Sequence, residues 1–498
     1  MSKEKINIKE LAKSAQVVGN VFARYTYGID RILVTLRKGI KLPLGAYIHV
    51  IDEDGLPIVY QVTSPEYYRY GYDFEKRLIA HGGISKDEAH TYDCTGVLVG
   101  RVCEDGRIEP PKYPVVPLSE VYCSPPKLVE MVTQPLDDWK IKIGINPETN
   151  MPVYMALEPL VRQSLLLTGA QGTGKTTALI TLIARAAQAD PPLRFLIFDW
   201  TGEFSSLSNL GENMVKTVFW EDFVERSVAE KPEVAVGLVE SDPRMFSNAV
   251  KSCVLQAIYQ CIEEGTAPTR ENVVPFINAQ GRRDESTRAE ARMVVHDNLP
   301  DKYPGGIKET VVDLIKKFRI VIVDFSTSKE LPDEFDFKKR IAAYIAEKIW
   351  REAILNKDFG CIVVSDEAHR ICPEGEKYFD RIWLKLATEG GRNCCPFWLV
   401  ARRLSLVSKS VTVESQQNFI CFNVEDIDRE RIQKDIGATF AGMLGALPQG
   451  EAMVKSAMAF RVPGQTIHVK FDVEIKPASA AFSARHRFQK MKEKQTPN

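Results

Sequence analysis

The sequence predicts an α/β chain: a doubly wound parallel sheet carrying a phosphate-binding loop and a helical insertion, preceded by a small N-terminal β-barrel. Three observations predict it. Short apolar runs broken by turn residues fill the chain from Val17 to about Ser119. Longer, uniformly apolar, β-branched runs alternate with helical text further on, which is the pattern of strands buried on both faces. Between one such run and a helical stretch stands "GAQGTGKTT" (169–177).

The barrel comes first. "VVGNVFA", "RILVTL", "GAYIHVIDEDGLPIVYQV" and "CTGVLVGRVCEDGRI" each suit a strand or hairpin, and Asp54-Gly55 and Asp105-Gly106 sit where hairpin turns would reverse the chain. Closure into a barrel removes the exposed edges such short strands would otherwise leave. "CSPPK" (123–127) and "TQPLDD" (133–138) read as a linker.

Past the linker, "SLLLTG", "RFLIFDW", "RIVIVDFS", "CIVVSDE", "PFWLVA" and "NFICFNV" are the expected sheet strands, joined by right-handed helical crossovers. Between about 238 and 316 the strand signal gives way to amphipathic text such as "FSNAVKSCVLQAIYQCIEEG", expected to be a helical insertion. The expected organisation is therefore residues 1–135 for barrel and linker, 136–237 for the first part of the core, 238–316 for the insertion, 317–475 for the second part, and 476–498 for a basic, solvated tail. A length of 498 residues agrees with two or three units at about 150 residues each.

Lys plus Arg number 65 against 66 Asp plus Glu, so a nucleic-acid partner is not excluded and any basic surface is local. Ten scattered cysteines without a CxxC pair read as reduced core thiols of an intracellular protein. No apolar run approaches the roughly 20 residues that span a bilayer, and no secretory leader is evident. A soluble, cytoplasmic protein without a membrane partner is expected.

The loop at 169–177 matches G-x-x-x-x-G-K-[ST] in its required setting between strand and helix. Gly169, Gly172 and Gly174, with Thr173 and Thr177 beside them, let backbone N–H groups turn inward on a polyphosphate. Lys175 is then expected at the β- and γ-phosphates and the Thr176 hydroxyl on Mg²⁺. "CIVVSDEAH" supplies the other half: Asp366 for the Mg²⁺ shell and Glu367 to polarise the attacking water. The pattern is that of an NTPase.

The same stretch contains the four-letter box that names a class of RNA helicases. Those enzymes need a second nucleotide-binding lobe, and 371–498 is too short to supply one after completing the first sheet, so the letters are expected to be part of a Walker B motif. A single lobe must then find its transition-state charge elsewhere, as ring ATPases do from a neighbouring subunit. Arg392 in "LATEGGRNCC" is a candidate for that finger; the plainer alternative is a helix-end arginine bonding carbonyls or a surface carboxylate.

Together "IKIGINPETNMPVYM", "GAQGTGKTT", "FDWTGEF", "IVVSDEAH", "EGGRN" and "LPQGEAMV", in this order and spacing, resemble the HerA bipolar DNA helicase/translocases of the HerA–FtsK superfamily over most of the chain. The resemblance implies a β-barrel ahead of a RecA-like core with a helical insertion, ATP and Mg²⁺ as cofactors, and a homo-hexameric ring around double-stranded DNA. It places Lys175 and Thr176 in the phosphate loop, Asp366 and Glu367 in Walker B, and Arg392 as the arginine finger. Asp199 and Glu203 match the family's acids after the second strand, where a carboxylate helps position water or metal, and Arg162 lies near a family arginine. Two positions depart from the family: Thr201 stands where His is usual in D-x-H-G-E, and Arg402 where a Gln senses the γ-phosphate.

By the same resemblance, a NurA-type nuclease partner and a role in end resection and recombinational repair are implied. The alternative is a nucleotide-gated ring that serves as scaffold for an effector, for instance in defence against mobile DNA, with weak motor activity of its own. A protein-remodelling ATPase fits less well, since no substrate-binding domain is evident. Lys409 and the Arg282-Arg283 pair are candidate pore cations, and ordinary solvated charge is the plainer reading of each. Tracking of the duplex backbone with little sequence reading is expected. His369 and Cys372 are too few for a zinc site, and Cys394 and Cys395 are expected to be buried.

Overall fold

The structure is a computed structural model and describes residues 7–22, 29–37, 39–69, 90–331, 334–375 and 381–477. It comprises two compact units, each assembled from separate stretches of chain. The first contains Met1–Pro159, Gly172–Gly174 and Asn418–Asp472; the second contains Leu160–Gln171, Lys175–Gln417 and Val473–Asn498. Of the predicted basic tail, 478–498 lies outside the described residues.

In the first unit, β1 (Val17–Val21), β2 (Arg31–Leu36), β3 (Tyr47–Ile51), β4 (Pro57–Arg69), β5 (His90–Val102), β6 (Ile108–Glu109) and β7 (Glu120–Cys123) are antiparallel. Neighbours run β2-β1-β7-β3-β4-β5, and β2 pairs back onto β5, so six strands close into the predicted barrel while β6 extends β5 outside it. The alternation in "RILVTL" explains the inside: Ile32, Val34 and Leu36 are buried with Ile48, Val50 and Tyr60. A slip of one residue would turn that set to water, so the pattern sets the register. Both Asp-Gly turns form where predicted, with the Asp52 N–H donating to the Leu56 carbonyl and the Cys103 N–H to the Arg107 carbonyl, each at 2.9 Å. The hairpin of β8 (Lys140–Ile145) and β9 (Pro152–Ala156) follows.

The second unit is built on β10 (Leu165–Thr168), β11 (Phe195–Asp199), β12 (Val215–Phe219), β13 (Ile320–Asp324), β14 (Ile362–Ser365) and β15 (Phe397–Ala401). All are parallel, in the order β12-β13-β11-β14-β15-β10. Five of them are the predicted apolar runs, buried along almost their whole length. The sixth, β12, was not expected from the sequence: as the edge strand it exposes Lys216 and Thr217 between buried Val215 and Val218 and carries no apolar run. Helices Lys175–Gln188 and Phe335–Leu355 are buried around most of their circumference, at every position of 178–184 and 341–346. Between β12 and β13 the chain forms helices Asn248–Glu263, Arg270–Ala279, Glu285–Asn298 and Val311–Lys317, the last three capped by the side chains of Thr269, Asp284 and Thr310.

The chain then contributes β16 (Asn418–Cys421), β17 (Glu451–Ser456) and β18 (Thr466–Phe471) to the first unit. The run at 418–424, expected as a sheet strand, forms β16, which pairs antiparallel with β17; β17 pairs with β18, and β18 with β8. Here His468 is held between Glu148 (Nδ1 to Oε1, 2.6 Å) and Glu451 (Nε2 to Oε2, 3.0 Å), all three nearly buried. Burial alone would lower the His468 pKa, but the bonds and charges of the two glutamates outweigh it and hold the imidazole above its ordinary value. Among the described residues no helix is long and apolar enough to cross a membrane.

Candidate active site

Parallel strands end on one edge, and the register decides which sequence-distant residues meet there. Thr168 of β10 stands beside Ala401 of β15, and Ser365 of β14 beside Leu399 of β15 and Phe198 of β11. The loop at 169–177, the Asp366-Glu367 pair, the Trp200–Glu203 turn and Arg402 therefore leave the sheet side by side. This is the edge where open α/β sheets bind ligands.

The loop has the backbone its glycines permit, with φ of 78° at Gly172 and 111° at Gly174. A Cβ at Gly174 would also come within 3.1 Å of Gly450 Cα, beside the place where the Gly450 N–H donates to the Thr173 carbonyl at 2.9 Å. The helix begins at Lys175, so its first unpaired N–H groups and those of Thr176 and Thr177 open toward the loop. Lys175 is buried and its Nζ donates to the carbonyls of Gly169 and Ala170, both at 2.7 Å. Burial lowers its pKa to about 8; the Glu367 and Glu203 charges oppose that and Arg402 adds to it, so all three lie within electrostatic reach of the ammonium.

Two buried acids stand together behind the lysine. Asp366 accepts from the Trp200 N–H at 2.8 Å and from the Thr201 hydroxyl at 2.6 Å. Asp199 accepts from the N–H groups of Gly202 (2.7 Å), Phe204 (3.0 Å) and Thr201 (3.2 Å), and Thr201 Oγ1 lies 3.4 Å from it. Thr201, the departure from the family pattern, thus bridges both carboxylates. Burial pushes Asp199 up to about 6, against its backbone bonds and with help from Asp324. Asp366 is raised well above the usual carboxylate range by burial first and by the Asp199 charge second. Neither acid has a cationic partner among the described residues.

Glu367 has left-handed backbone angles (φ 47°, ψ 53°), uncommon outside glycine and a frequent mark of functional strain. Its Oε1 receives Arg402 Nε at 2.5 Å. His369 Nδ1 lies 3.3 Å from Oε2 but outside hydrogen-bonding geometry, and that buried oxygen has no hydrogen-bond partner.

These residues fit a magnesium nucleotide. The loop and Lys175 suit a polyphosphate, while the Thr176 hydroxyl and the uncompensated Asp366 and Asp199 suit a hard cation. Among the described residues no three His, Cys, Asp or Glu form a metal cage. A nucleotide-bound Mg²⁺ needs none, since one or two carboxylates with phosphates and water suffice.

Other expected residues lie apart. Arg392 is exposed in the turn Gly390–Asn393, ahead of β15 and so at the opposite end of the sheet from Arg402. That turn sits against the Arg162 carbonyl, which a Cβ on Gly391 would meet at 1.7 Å. Arg283 is occupied by Gln280 Oε1 (2.8 Å), the Ala249 carbonyl (3.1 Å) and Ser252 Oγ (2.7 Å), whereas Arg282 and Lys409 are exposed. Cys395 is buried as expected, but Cys394 is exposed, because it leaves the Gly390–Asn393 turn in a left-handed conformation at the strand's entrance. The sequence reading missed the Thr201 bridge and the Arg402–Glu367 pair. The available signal was that Arg402 is the first residue, and Thr201 the second, past a buried strand adjacent to β14.

Residues 141–345 match the family described as "Helicase HerA, central domain". No curated protein matches the sequence. Among solved structures, VirB4 of Thermoanaerobacter pseudethanolicus is 12% identical, with a TM-score of 0.50 over 68% of this chain and 98% of that one. The bacterial conjugative coupling protein TrwB is 13% identical, with a TM-score of 0.45 over 65% and 87%. The genome packaging NTPase B204 from Sulfolobus turreted icosahedral virus 2 is 11% identical, with a TM-score of 0.33 over 62% and 98%. The VirB4 likeness carries the fold, that of RecA-like P-loop ATPases. The matched span takes in the phosphate loop and the acids after β11, so over these residues the chain is similar to the HerA central domain.

Proposed function

We propose that this chain is an ATP-driven translocase on double-stranded DNA, a cytoplasmic homo-hexameric ring that works with a NurA-type nuclease in end resection and recombinational repair. The observation that carries the reading is the division of the machinery between the two ends of one sheet. Lys175, Asp366, Glu367 and Glu203 meet at the C-terminal edge, while Arg392 is exposed at the other. A ring lets that exposed arginine serve a neighbouring subunit's nucleotide.

In this reading, Lys175 gives up the Gly169 and Ala170 carbonyls to hold the β- and γ-phosphates, with the loop's N–H groups around them. Thr176 and Asp366 would hold the Mg²⁺, which supplies charge neutralisation on the phosphates. Glu367 orients the attacking water and accepts its proton, and Glu203 and Asp199 keep the surrounding hydrogen bonds in place. Arg392 of the adjacent subunit adds positive charge where the transition state needs it, worth about 10³–10⁵ in rate.

The Arg402–Glu367 ion pair favours a second reading, a ring gated by nucleotide that serves an effector and turns over weakly alone. ATP hydrolysis with and without blunt duplex DNA, alongside Glu367→Gln, separates the two. The motor reading expects strong duplex stimulation, with hydrolysis lowered about 10²–10⁴-fold by the substitution. Hydrolysis indifferent to DNA favours the effector-gated ring.

A further inference from the structure

Arg402 is the first residue past β15 and Glu367 the second past β14, and these strands are register neighbours. Both side chains leave the same edge, so their ion pair follows from the backbone. It is short, 2.5 Å from Nε to Oε1, and asymmetric: the Glu367 side chain is 8% exposed and that of Arg402 47%. On its other side β15 adjoins β10, so Arg402 also emerges beside the start of the phosphate loop. Its charge opposes that of Lys175, which Glu367 supports. Glu367 is thus one buried anion serving two cations at a place built for anions.

That arrangement conflicts with the role of a general base. One carboxylate oxygen is engaged by Arg402, and the other is buried without a hydrogen bond. A terminal phosphate offers more charge and more acceptor oxygens than a carboxylate and competes well for a half-exposed guanidinium. We propose that Arg402 is a positioning residue that restrains Glu367 until the terminal phosphate of a nucleoside triphosphate takes over the guanidinium and frees the carboxylate for water. A diphosphate lacks the competing group, so the exchange reports the nucleotide's state. This inference rests on the ATPase reading above.

Binding rather than turnover tests it. ATPγS and ADP are titrated calorimetrically, without DNA, into the full chain and its Glu367→Gln, Arg402→Gln and doubly substituted variants. Removing the carboxylate charge should release Arg402, so Glu367→Gln is expected to tighten ATPγS about tenfold or more, with little change for ADP. In the Arg402→Gln background that gain should vanish. Arg402→Lys, which keeps the charge, should retain part of it, as a folding effect would not. An equal gain with and without Arg402, or an equal gain for ADP, would mean simple relief of charge repulsion and overturn the proposal. Nucleotide binding without coupling overturns this inference alone, whereas failure of every variant to bind either nucleotide overturns the ATPase reading too.

Discussion

Both units bury pairs of carboxylates, and they compensate them differently. In the first unit Glu148 and Glu451 grip His468 from either side, so the cation that neutralises them is part of the chain. In the second unit Asp199 and Asp366 share only the Thr201 hydroxyl and backbone donors, and burial drives both toward the protonated form. Two acids left uncompensated in a dry place cost stability. The difference separates a structural cluster, complete in itself, from a site that calls for a cation from outside.

The sharpest way to break this comparison is Asp366→Asn. If the acid serves a metal, steady-state hydrolysis should fall about 10³-fold, roughly 4 kcal/mol of transition-state stabilisation. The melting temperature of the protein without nucleotide should stay level or rise, since an uncompensated buried charge has gone. A large drop in melting temperature would instead make Asp366 structural.

The opposite pattern is expected for His468→Leu. Leaving two buried carboxylates without their cation should destabilise the first unit by about 3 kcal/mol in denaturant melts. The pH dependence has a definite sign. The folded-state pKa lies above the ordinary imidazole value of about 6.5, so the stabilisation is complete below that value and is lost as pH rises through the folded-state pKa. The Leu variant should lose this pH dependence; a slope unchanged by the substitution would assign it to another group.

Thr201→Val should have the smallest effect. Replacing the bridging hydroxyl by a methyl group leaves Asp366 with one donor fewer, at about 1–2 kcal/mol. Hydrolysis should fall about tenfold, and the metal requirement should change with it. Lowered stability with an unaltered magnesium titration would confine Thr201 to folding.

The elements most legible in the sequence were those with local causes. The barrel's alternation and its two Asp-Gly turns, the buried runs of the parallel sheet and the phosphate loop each need only a few consecutive residues. Strand β12 escaped because an edge strand needs no apolar face on both sides. Thr201 could be seen as a departure from a family pattern, but not as a bridge, because its partners Asp199 and Asp366 are two and 165 residues away.

By itself, then, the sequence determined the residue types of a nucleotide site and the strand and helix that flank its loop. The tertiary structure alone decided that Arg402 binds Glu367. It also decided that 418–472 joins the N-terminal residues and places His468 between its two glutamates. The physical reason is common to all three. Local propensity acts within a turn or a strand, whereas strand order and register determine which charges share a low-dielectric edge, and their pairing energy exists only once that edge has formed.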